Sequence, residues 1–596
     1  MPSGAPTRFD PTWSEPTSEN VLLEALSLDE GWRLIERFTT LTRESGSDDE
    51  RTAATYIAER LKALGVPYQV LEPELFLSIP RSAEVRIHTA TEQRFHAATP
   101  AFSTSTGLSG MRAAAVHAST GYATSTVTVF DAGDASDLPD VRGRIAVTEG
   151  FANPGKVEAL AELGAVGVVC INPGAYVHEG ICTPIWGAPD ARTANRQPRV
   201  PVVAISRPDG DALLAAIAQR AEVTITTELD EGWMRCPLIV AEVRGAERPE
   251  EFVLLHGHID SWYVGIGDNA TGNATLLELA RVLQLHRDRL RRSVRIAWWP
   301  GHSTGRYAGS TWYADRFALE LDEHCVAHVN CDSPGCRDAT VYENVMWMAE
   351  AEPLALGAIR DATGQAATGA RPFRAGDISF NNLGLSTFFM LSSEMPAEEL
   401  QRRGAYPVGG CGMNNEWHTP YDTLEIADRD ILMKDMRVYL LGVLRAANAP
   451  LAPFDYRRTL AEMRDVVVGY ASTAGAVDLG PVLTAIENVK AAVERMYGQE
   501  SVPDEWVDSF NRTQRRLGRR LVSLNFSQAG KFRQDPALQV PAVPELASAV
   551  ALADERDPHQ RRVLETEVVR ATNRVLHDLR EAELEVGRYL ERSRAG

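Results

Sequence analysis

The stretch "HGHIDSWYVGIGDNATGNATLLELAR", residues 256–281, decides the fold of the central part of this chain. It begins as the end of a strand in which His256, His258 and Asp260 occupy alternate positions and so point to one face. Glycines then flank Asp268 in a loop, and the spacing of the apolar residues that follow predicts an amphipathic helix. A strand, a polar loop and a helix in this order indicate one unit of an α/β sheet.

Strands and helices continue to alternate over residues 236–450, which predicts a doubly wound, mostly parallel sheet. The predicted strands are "EFVLLHGHID", "SVRIAWWPG", "CVAHVNCDSPG" and "LSTFFML", and the helix "TGNATLLELARVLQLHRDRL" follows the first of them. Sheets of this kind bind ligands at the carboxyl ends of their strands. We therefore expect the functional residues to lie at those ends.

Histidine and aspartate do occur there. Asp332 lies at a strand end in "NCDSPG", and His418 lies in a loop before a proline in "NNEWHTPYDT". Together with His258 and Asp268 they offer the nitrogen and oxygen ligands that suit Zn²⁺. For any one of these residues, a buried, hydrogen-bonded polar side chain is an equally good interpretation. The four residues in this order indicate a metal site.

Residues 86–235 have a different sequence pattern. It predicts short strands rich in threonine and valine, such as "TSTVTVFDAG" and "VRGRIAVTEG". A helix followed by a buried strand is predicted in "GKVEALAELGAVGVVCINPG". This region, called the insert below, resembles a protease-associated (PA) domain, which interrupts several peptidase families. An unrelated small α/β insert is the alternative. Residues 1–85 are then the N-terminal part of the domain that residues 236–450 complete.

Residues 451–596 carry helical signal almost throughout, as in "GPVLTAIENVKAAVERMYG" and "ETEVVRATNRVLHDLREAELEVGRYLERS". We find no metal-ligand motif in this segment. Long amphipathic helices need a surface to cover, so we expect a helical domain that forms a homodimer.

Composition excludes some partners and favours a compartment. With 61 basic and 81 acidic residues the net charge is −20, which repels nucleic acid and anionic lipid. The chain lacks the run of about 20 apolar residues that a membrane span needs. The seven cysteines are sparse, and the first residues lack the basic start and apolar stretch of a secretory signal, so we expect a cytoplasmic protein with reduced thiols.

The motif order over residues 250–425 is similar to that of the zinc aminopeptidase family that includes glutamate carboxypeptidase and the transferrin receptor. The order is H-x-D, then D-N-A-T-G opening a helix, then a loop ending in G-S, then N-x-D, then H-T-x-x-D. With the PA-like insert and the helical tail, the layout resembles the glutamate carboxypeptidase branch over nearly the whole chain. The resemblance implies a metallopeptidase that uses zinc.

The resemblance also implies a role for each matching position. His258 and Asp332 match ligands of the first metal, and Asp268 matches the carboxylate that bridges two metals. His418 matches the histidine of the second metal. Asp260 matches a carboxylate that orients the His258 imidazole and sets its tautomer. One or two Zn²⁺ ions, or another divalent transition metal, are thereby implied.

Three neighbouring residues match no family ligand. His256 shares a face with His258, and we interpret it as a hydrogen-bonded core histidine. Cys331 and Cys336 flank Asp332, and we interpret them as small core residues in preference to thiolate ligands.

The loop "GHSTGRYAGS" departs from the family pattern. The family places a general-base glutamate and then a metal-ligand glutamate after the first glycine, where this chain has His302 and Ser303. A serine hydroxyl is a poor Zn²⁺ ligand, so we expect the second metal to bind weakly unless His302 replaces the lost oxygen. A metal ligand is thus the first interpretation of His302, and a general base is the second. In the third, His302 only hydrogen-bonds a neighbour in an inactive site. Glu416, two residues before His418, is another catalytic candidate.

Two classes of function follow. The first is a metal-dependent hydrolase of an amide or peptide bond in a small substrate. The second is a non-catalytic family member that acts as a binding or structural protein. The first is favoured, because a pure scaffold has no need for the retained ligand positions.

Arginines near the site bear on the substrate. Arg306 stands where the family usually has an apolar residue, and "RPFRAGDISF" supplies Arg371 and Arg374. Arginine in a closed pocket clamps a carboxylate with two hydrogen bonds, whereas a surface arginine pairs with a neighbouring acid. We expect a small acidic or amide-bearing metabolite, or a peptide, as substrate, with Arg306 and Arg374 as candidate contacts.

Overall fold

The structure is a computed structural model that describes residues 7–133, 138–389, 393–474 and 477–595. Its strands, in chain order, are β1 Tyr68–Leu71, β2 Glu74–His88, β3 Gln93–His96, β4 Met111–His117, β5 Ile145–Glu149, β6 Gly167–Ile171, β7 Val202–Ile205, β8 Glu222–Arg235, β9 Leu238–Val243, β10 Arg248–His258, β11 Arg292–Trp299, β12 Cys325–Asn330, β13 Tyr342–Met346, β14 Ala367–Ala370 and β15 Ser386–Thr387.

The helices, in chain order, are α1 Pro16–Glu24, α2 Asp29–Phe38, α3 Asp48–Ala63, α4 Pro154–Glu162, α5 Arg207–Ala218, α6 Thr271–Leu285, α7 Ala308–Arg316, α8 Ala318–His324, α9 Glu352–Thr363, α10 Ala397–Arg403, α11 Arg429–Asn448, α12 Tyr456–Thr473, α13 Gly480–Tyr497, α14 Asp504–Phe526, α15 Ser548–Asp554 and α16 Pro558–Ala595.

A six-stranded sheet in the order β1-β9-β11-β10-β12-β15 forms the centre of the fold. Strand β10 pairs in parallel with β11 on one side and β12 on the other, and β12 pairs in parallel with β15. The antiparallel strands β9 and β1 complete one edge. The predicted fold class, a mostly parallel doubly wound sheet with a β-rich insert and a C-terminal helical region, is confirmed. The end of the predicted strand "LSTFFML", residues 390–391, lies outside the described residues.

Strand β10 is buried on both faces, which explains its continuous apolar run. Val253, Leu254 and Leu255 are each fully buried, because helices cover both sides of a parallel sheet. Helix α3 shows how local sequence sets an element's ends. The Ser47 hydroxyl accepts a hydrogen bond from the N–H of Glu50 at 3.1 Å, and the chain leaves the helix through Gly65 at φ 69°.

A second sheet, of seven strands in the order β3-β2-β8-β4-β5-β6-β7, contains the strands of the insert. Its long antiparallel pair β2 and β8 joins the insert to the central sheet. The Thr/Val-rich segment around Val127–Phe130 was expected to be a strand, but it is a 3₁₀ turn. The Thr128 hydroxyl accepts from the N–H groups of residues 124 and 125, each at 3.0 Å, and such local bonds compete with strand pairing.

The C-terminal helices pack onto the central domain. Side chains of α12, α13, α14 and α16 share one hydrophobic core with the helices that cover the central sheet. The domain boundaries at residues 85, 235 and 450 stay predictions. Within the described residues, none of the helices combines the length and the apolarity that crossing a membrane requires.

Candidate metal centre

Three strand ends converge at one edge of the central sheet. His258 is the last residue of β10, while His302 follows β11 and Asp332 follows β12. Because β10 lies between its two parallel neighbours, their carboxyl ends meet. One ligand atom from each of His258, His302 and Asp332 lies within 4.8 Å of the other two, and all three residues are buried.

Asp268 joins this group to His418. Its Oδ1 lies 3.0 Å from Nε2 of His258 and its Oδ2 lies 3.1 Å from Nε2 of His418. The turn that carries Asp268 is held by Asp422, whose carboxylate accepts from the N–H groups of Gly267 and Asp268 at 2.7 and 2.9 Å. The structure therefore places Asp268 between the two histidines, as a bridging carboxylate requires.

Each of the three histidines is anchored through Nδ1. The Nδ1–H of His258 donates to the Asp260 carbonyl at 2.9 Å, and that of His418 donates to the Glu179 carbonyl at 3.0 Å. His302 donates from Nδ1 to the Asp377 carboxylate at 2.8 Å. Since a carbonyl or carboxylate oxygen accepts only, these bonds assign the tautomers and leave each Nε2 with a free lone pair. Metal-binding histidines in proteins are held in this way.

The centre contains buried acceptors that face one another without a donor. Nε2 of His258 and Oδ1 of Asp268 are buried and have no hydrogen-bond partner among the described residues. Burial lowers the pKa of His258, but the carboxylates of Asp332 and Asp268 outweigh it and hold that pKa well above its usual range. The arrangement thus requires a positive charge between these atoms, and nitrogen and oxygen donors fit Zn²⁺.

The Asp260 carboxylate supports the altered loop and not His258 directly. Its Oδ1 accepts from the N–H of His302 at 3.1 Å and its Oδ2 accepts from the N–H of Ser303 at 2.8 Å. The Ser45 hydroxyl adds a third bond at 2.9 Å. The expected orientation of His258 comes from the main-chain carbonyl of Asp260, because the carboxylate oxygen is 3.8 Å from Nδ1.

Asp377 is a site residue that our sequence reasoning missed. It is fully buried, and besides His302 it accepts from the Ser310 hydroxyl at 2.6 Å. Burial raises the pKa of Asp377, but the neighbouring His302 outweighs burial and lowers it. The His302 ring also stacks on the His258 ring at 3.8 Å between centroids. In the sequence, Asp377 is marked only by the glycine that precedes it in "RPFRAGDISF".

Two predicted residues lie elsewhere. Glu416 does not line the cavity described below, because its carboxylate pairs with Arg337 at 3.1 Å. Arg374 pairs with Asp535 at 2.8 Å and lies over the Phe526 ring. These partners belong to the C-terminal region, so Arg374 holds that region to the central domain.

Arg371 and His256 also have structural partners. Arg371 donates to the Asn525 carbonyl at 2.8 Å. His256 bonds through Nε2 to His328 Nδ1 at 3.1 Å, and His328 bonds through Nε2 to Asn381 at 2.7 Å. Their geometry is that of core contacts.

A cavity of about 60 Å³ opens onto the metal-centre residues. The central domain contributes Asp268, His302, Arg306, Tyr307, Asp332, Phe373, Ala375, Gly376, Gly409, Trp417 and His418, and the insert contributes Val129, Phe130, Phe151, Ala152, Asn153, Glu179, Gly180 and Ile181. The sequence contained no signal for the insert residues, whose position depends on how the two sheets meet. Among them, burial raises the pKa of Glu179 to about 7.

Known proteins share sequence and fold with this chain. Residues 239–440 match the profile of Peptidase family M28. The chain is similar to a probable glutamate carboxypeptidase, VP8, of Zea mays, with 24% identity over 71% of this chain and 67% of that protein. It is also similar to aminopeptidase NAALADL1 of Rattus norvegicus, with 25% identity over 45% of this chain and 40% of that protein. The alignment thus spans less than half of the rat protein.

The fold has solved counterparts. The structure of BSAP, a zinc aminopeptidase from Bacillus subtilis, superposes with a TM-score of 0.51 at 19% identity, over 71% of this chain and 95% of that one. The predicted resemblance to zinc aminopeptidases and glutamate carboxypeptidases is confirmed. Residues 239–440 therefore resemble a Peptidase family M28 domain in sequence, and the chain shares the fold of zinc aminopeptidases.

Proposed function

We propose that the protein hydrolyses an amide or peptide bond in a small substrate with the help of one or two bound Zn²⁺ ions. One observation carries the proposal. The lone pairs of His258 and His418 face the carboxylate of Asp268 at 3.0 and 3.1 Å, and none of the described residues places a donor between them. Only a proton or a metal cation makes such a geometry favourable.

His258, Asp268 and Asp332 would hold the first metal. Asp268 and His418 would hold the second, with His302 as the nearest replacement for the lost glutamate. When bound, such a metal polarises a substrate carbonyl and lowers the pKa of a water molecule. The chain's own contribution is to hold the ligands in place and to supply a group that accepts a proton.

His302 is suited to that second task as well as to ligation. Its Nδ1–H is held by the ionised Asp377, so Nε2 is the free acceptor. A proton taken up at Nε2 would give an imidazolium that the buried Asp377 carboxylate stabilises, and a carboxylate plays this role for histidine bases generally. The same contact would equally orient a histidine ligand. Metal content of a His302 variant separates the two roles.

The enclosed space beside the metal-centre residues is small. Its volume of about 60 Å³ is less than half that of the roughly 150 Å³ cavity that accommodates a benzene ring, so it takes up only the part of a substrate that lies next to these residues. Residues of the insert close one side of it. We therefore propose that the insert acts as a PA-like domain that restricts access to the metal centre.

We also propose a cytoplasmic homodimer assembled through residues 451–596. Helix α16, 38 residues long, exposes Val563, Val569 and Leu584. Apolar side chains on a long helix favour a covered face. Light scattering should give twice the 65.3 kDa of one chain, and a mass near 65.3 kDa at micromolar concentration would contradict the dimer.

The proposed activity is tested by a metal assay joined to a substrate screen. Protein purified without added metal should contain zinc or a related metal and should cleave at least one compound among N-acyl amino acids, dipeptides and amino-acid amides. Bound metal without turnover of any of them would favour a non-catalytic binding protein. Absence of metal together with absence of turnover would reject the proposed function.

A further inference from the structure

Two adjacent residues of the insert hold two adjacent residues of the loop that carries His418. The Nδ1–H of His178 donates to the Trp417 carbonyl at 2.7 Å. The N–H of Glu179 donates to the His418 carbonyl at 3.0 Å, and the Glu179 carbonyl accepts from the Nδ1–H of His418 at 3.0 Å. These three hydrogen bonds, called the clasp below, join the two segments side by side. The imidazole of His418 therefore cannot turn without breaking a bond to the insert.

His178 is itself fixed by the rest of the fold. It is 2% exposed, and its main-chain N–H donates to the Asn172 side chain at 2.8 Å. Because the Trp417 carbonyl only accepts, Nδ1 of the neutral ring carries the proton, and Nε2 accepts from the Tyr406 hydroxyl at 2.8 Å. Both ring nitrogens are thus bonded to the central domain, so His178 acts on the metal centre through its neighbours and is not a ligand.

Ring contacts reinforce the clasp. The Trp417 ring stacks on the His418 ring with 3.7 Å between centroids, and Phe151 of the insert meets the Trp417 ring edge-on at 5.7 Å. His418 is also held at φ 57°, a conformation that is costly for a residue other than glycine and that persists where surrounding contacts enforce it. The position of His418 thus depends on the insert.

The other candidate ligands are held within the central domain. The Nδ1–H of His258 donates to the Asp260 carbonyl at 2.9 Å, and Asp332 accepts from the Ser333 hydroxyl at 3.0 Å. Both partners belong to the central domain. A displaced insert would therefore move His418 and leave His258 and Asp332 in place.

From this asymmetry we infer that docking of the insert and binding of the second metal are coupled, and that His178 is the positioning residue that couples them. With the insert docked, Nε2 of His418 lies 3.1 Å from Oδ2 of Asp268, the pair proposed to hold that metal. Such coupling is reciprocal, so whatever the clasp adds to the affinity for the second metal, the second metal adds to the docking of the insert. Since the insert also lines the cavity, the second metal would fix one wall of it. The inference rests on the proposed function and adds to it how the second site is assembled.

Zinc titration of the metal-free full chain against a chelator tests the coupling in His178→Phe, which keeps a ring but removes the bonds to Trp417 and Tyr406. The affinity for the first Zn²⁺ should stay at the wild-type value, and the affinity for the second should fall about 10–100-fold, the usual cost of losing an outer contact. Tyr406→Phe removes one bond to His178 only and should have a smaller effect in the same direction. His96→Phe, at an exposed histidine of the same insert, is the matched control and should bind both ions as the wild type does.

Hydrogen exchange of the wild type tests the reciprocal effect and needs no variant to fold. Exchange of the main-chain amides of residues 173–182 should slow when the second equivalent of Zn²⁺ is added, and the first equivalent should leave it unchanged. In His178→Phe the slowing should be smaller.

Equal weakening of both ions in His178→Phe would indicate a general structural role and overturn the inference. An unchanged affinity for the second ion would also overturn it, as would exchange that the second equivalent does not slow or a wild type that binds a single Zn²⁺. In each of these cases the protein still binds zinc, so the proposed function stands. A wild type that binds no zinc rejects the proposed function itself, and the inference with it.

Discussion

The two halves of the metal centre are built in different ways. The proposed first half consists of His258, Asp268 and Asp332, which come from adjacent strand ends and the turn before α6. In the proposed second half, Ser303 stands where the resemblance implies a ligand glutamate, and His418 lies in a loop at φ 57°. The insert anchors His418 through the Glu179 carbonyl, and His302 depends on Asp377.

The difference indicates which half is rigidly specified. The first half is set by strand register, because β10 pairs in parallel with both neighbours over most of its length. The second half depends on contacts between distant segments, which connect His418 to the insert and His302 to Asp377. We therefore expect tight metal binding in the first half and weaker, more adaptable binding in the second.

The largest effect should follow loss of the first half. Asp332→Ala removes a private ligand, so metal content should fall to background and the rate should fall by more than the about 10²–10⁴-fold that acid–base catalysis supplies. Metal analysis and the dipeptide assay measure both. Glu416→Gln is the control and should retain metal, since Glu416 pairs with Arg337 outside the cavity. A fully metallated Asp332→Ala protein would contradict the assignment of the first half.

The next effect distinguishes the roles of His302. If His302 is a ligand, His302→Ala should lose part of its metal and regain activity with excess Zn²⁺. If it is the base, metal content should stay constant and the rate should fall about 10²–10⁴-fold. Unchanged metal and unchanged rate would mean that neither role is correct, and Glu179 would be the next residue to replace.

Removing the support of His302 should have a moderate effect. Asp377→Asn keeps the shape but removes the charge that holds Nδ1 of His302. Loss of such outer contacts typically costs about 10–100-fold in metal affinity or activity. Zinc titration against a chelator measures the affinity, and the rate assay measures the activity. Ser310→Ala removes one hydrogen bond to Asp377 but keeps its carboxylate, so its effect should be smaller. Wild-type affinity and rate in Asp377→Asn would show that His302 needs no such support.

The smallest effect concerns the stability of the fold at acid pH. It tests whether a histidine of the core, His328, contributes to the loss of stability. Burial lowers the pKa of His328 to about 4, despite its bond to Asn381. The unfolded chain binds this proton near pH 6.5, so His328 favours the folded state above pH 6.5 and loses that contribution as pH falls toward 4. In urea unfolding of the metal-free protein, His328→Gln should therefore lose less stability than the wild type between those pH values. Parallel pH profiles would show that His328 does not contribute to the acid sensitivity.

The sequence by itself determined the fold class and the order of the candidate ligand positions. Alternation of strands and helices and the polar residues at strand ends were sufficient, because the register of a parallel sheet brings neighbouring carboxyl ends together. Asp260 shows the limit of this reasoning. Its place near His258 was predictable. That its carbonyl holds His258 while its carboxylate holds the N–H of His302 depends on where the His302 loop folds back.

Only the tertiary structure decided which charges serve the site. Asp377 is 75 residues from His302, and Glu179 is 239 residues from His418, so no local pattern relates them. Arg306 and Arg374 look alike in sequence, yet Asp535 neutralises one and no described residue neutralises the other. The physical reason is that burial and pairing of charges depend on segments that meet only after the insert and the C-terminal helices have packed against the central sheet.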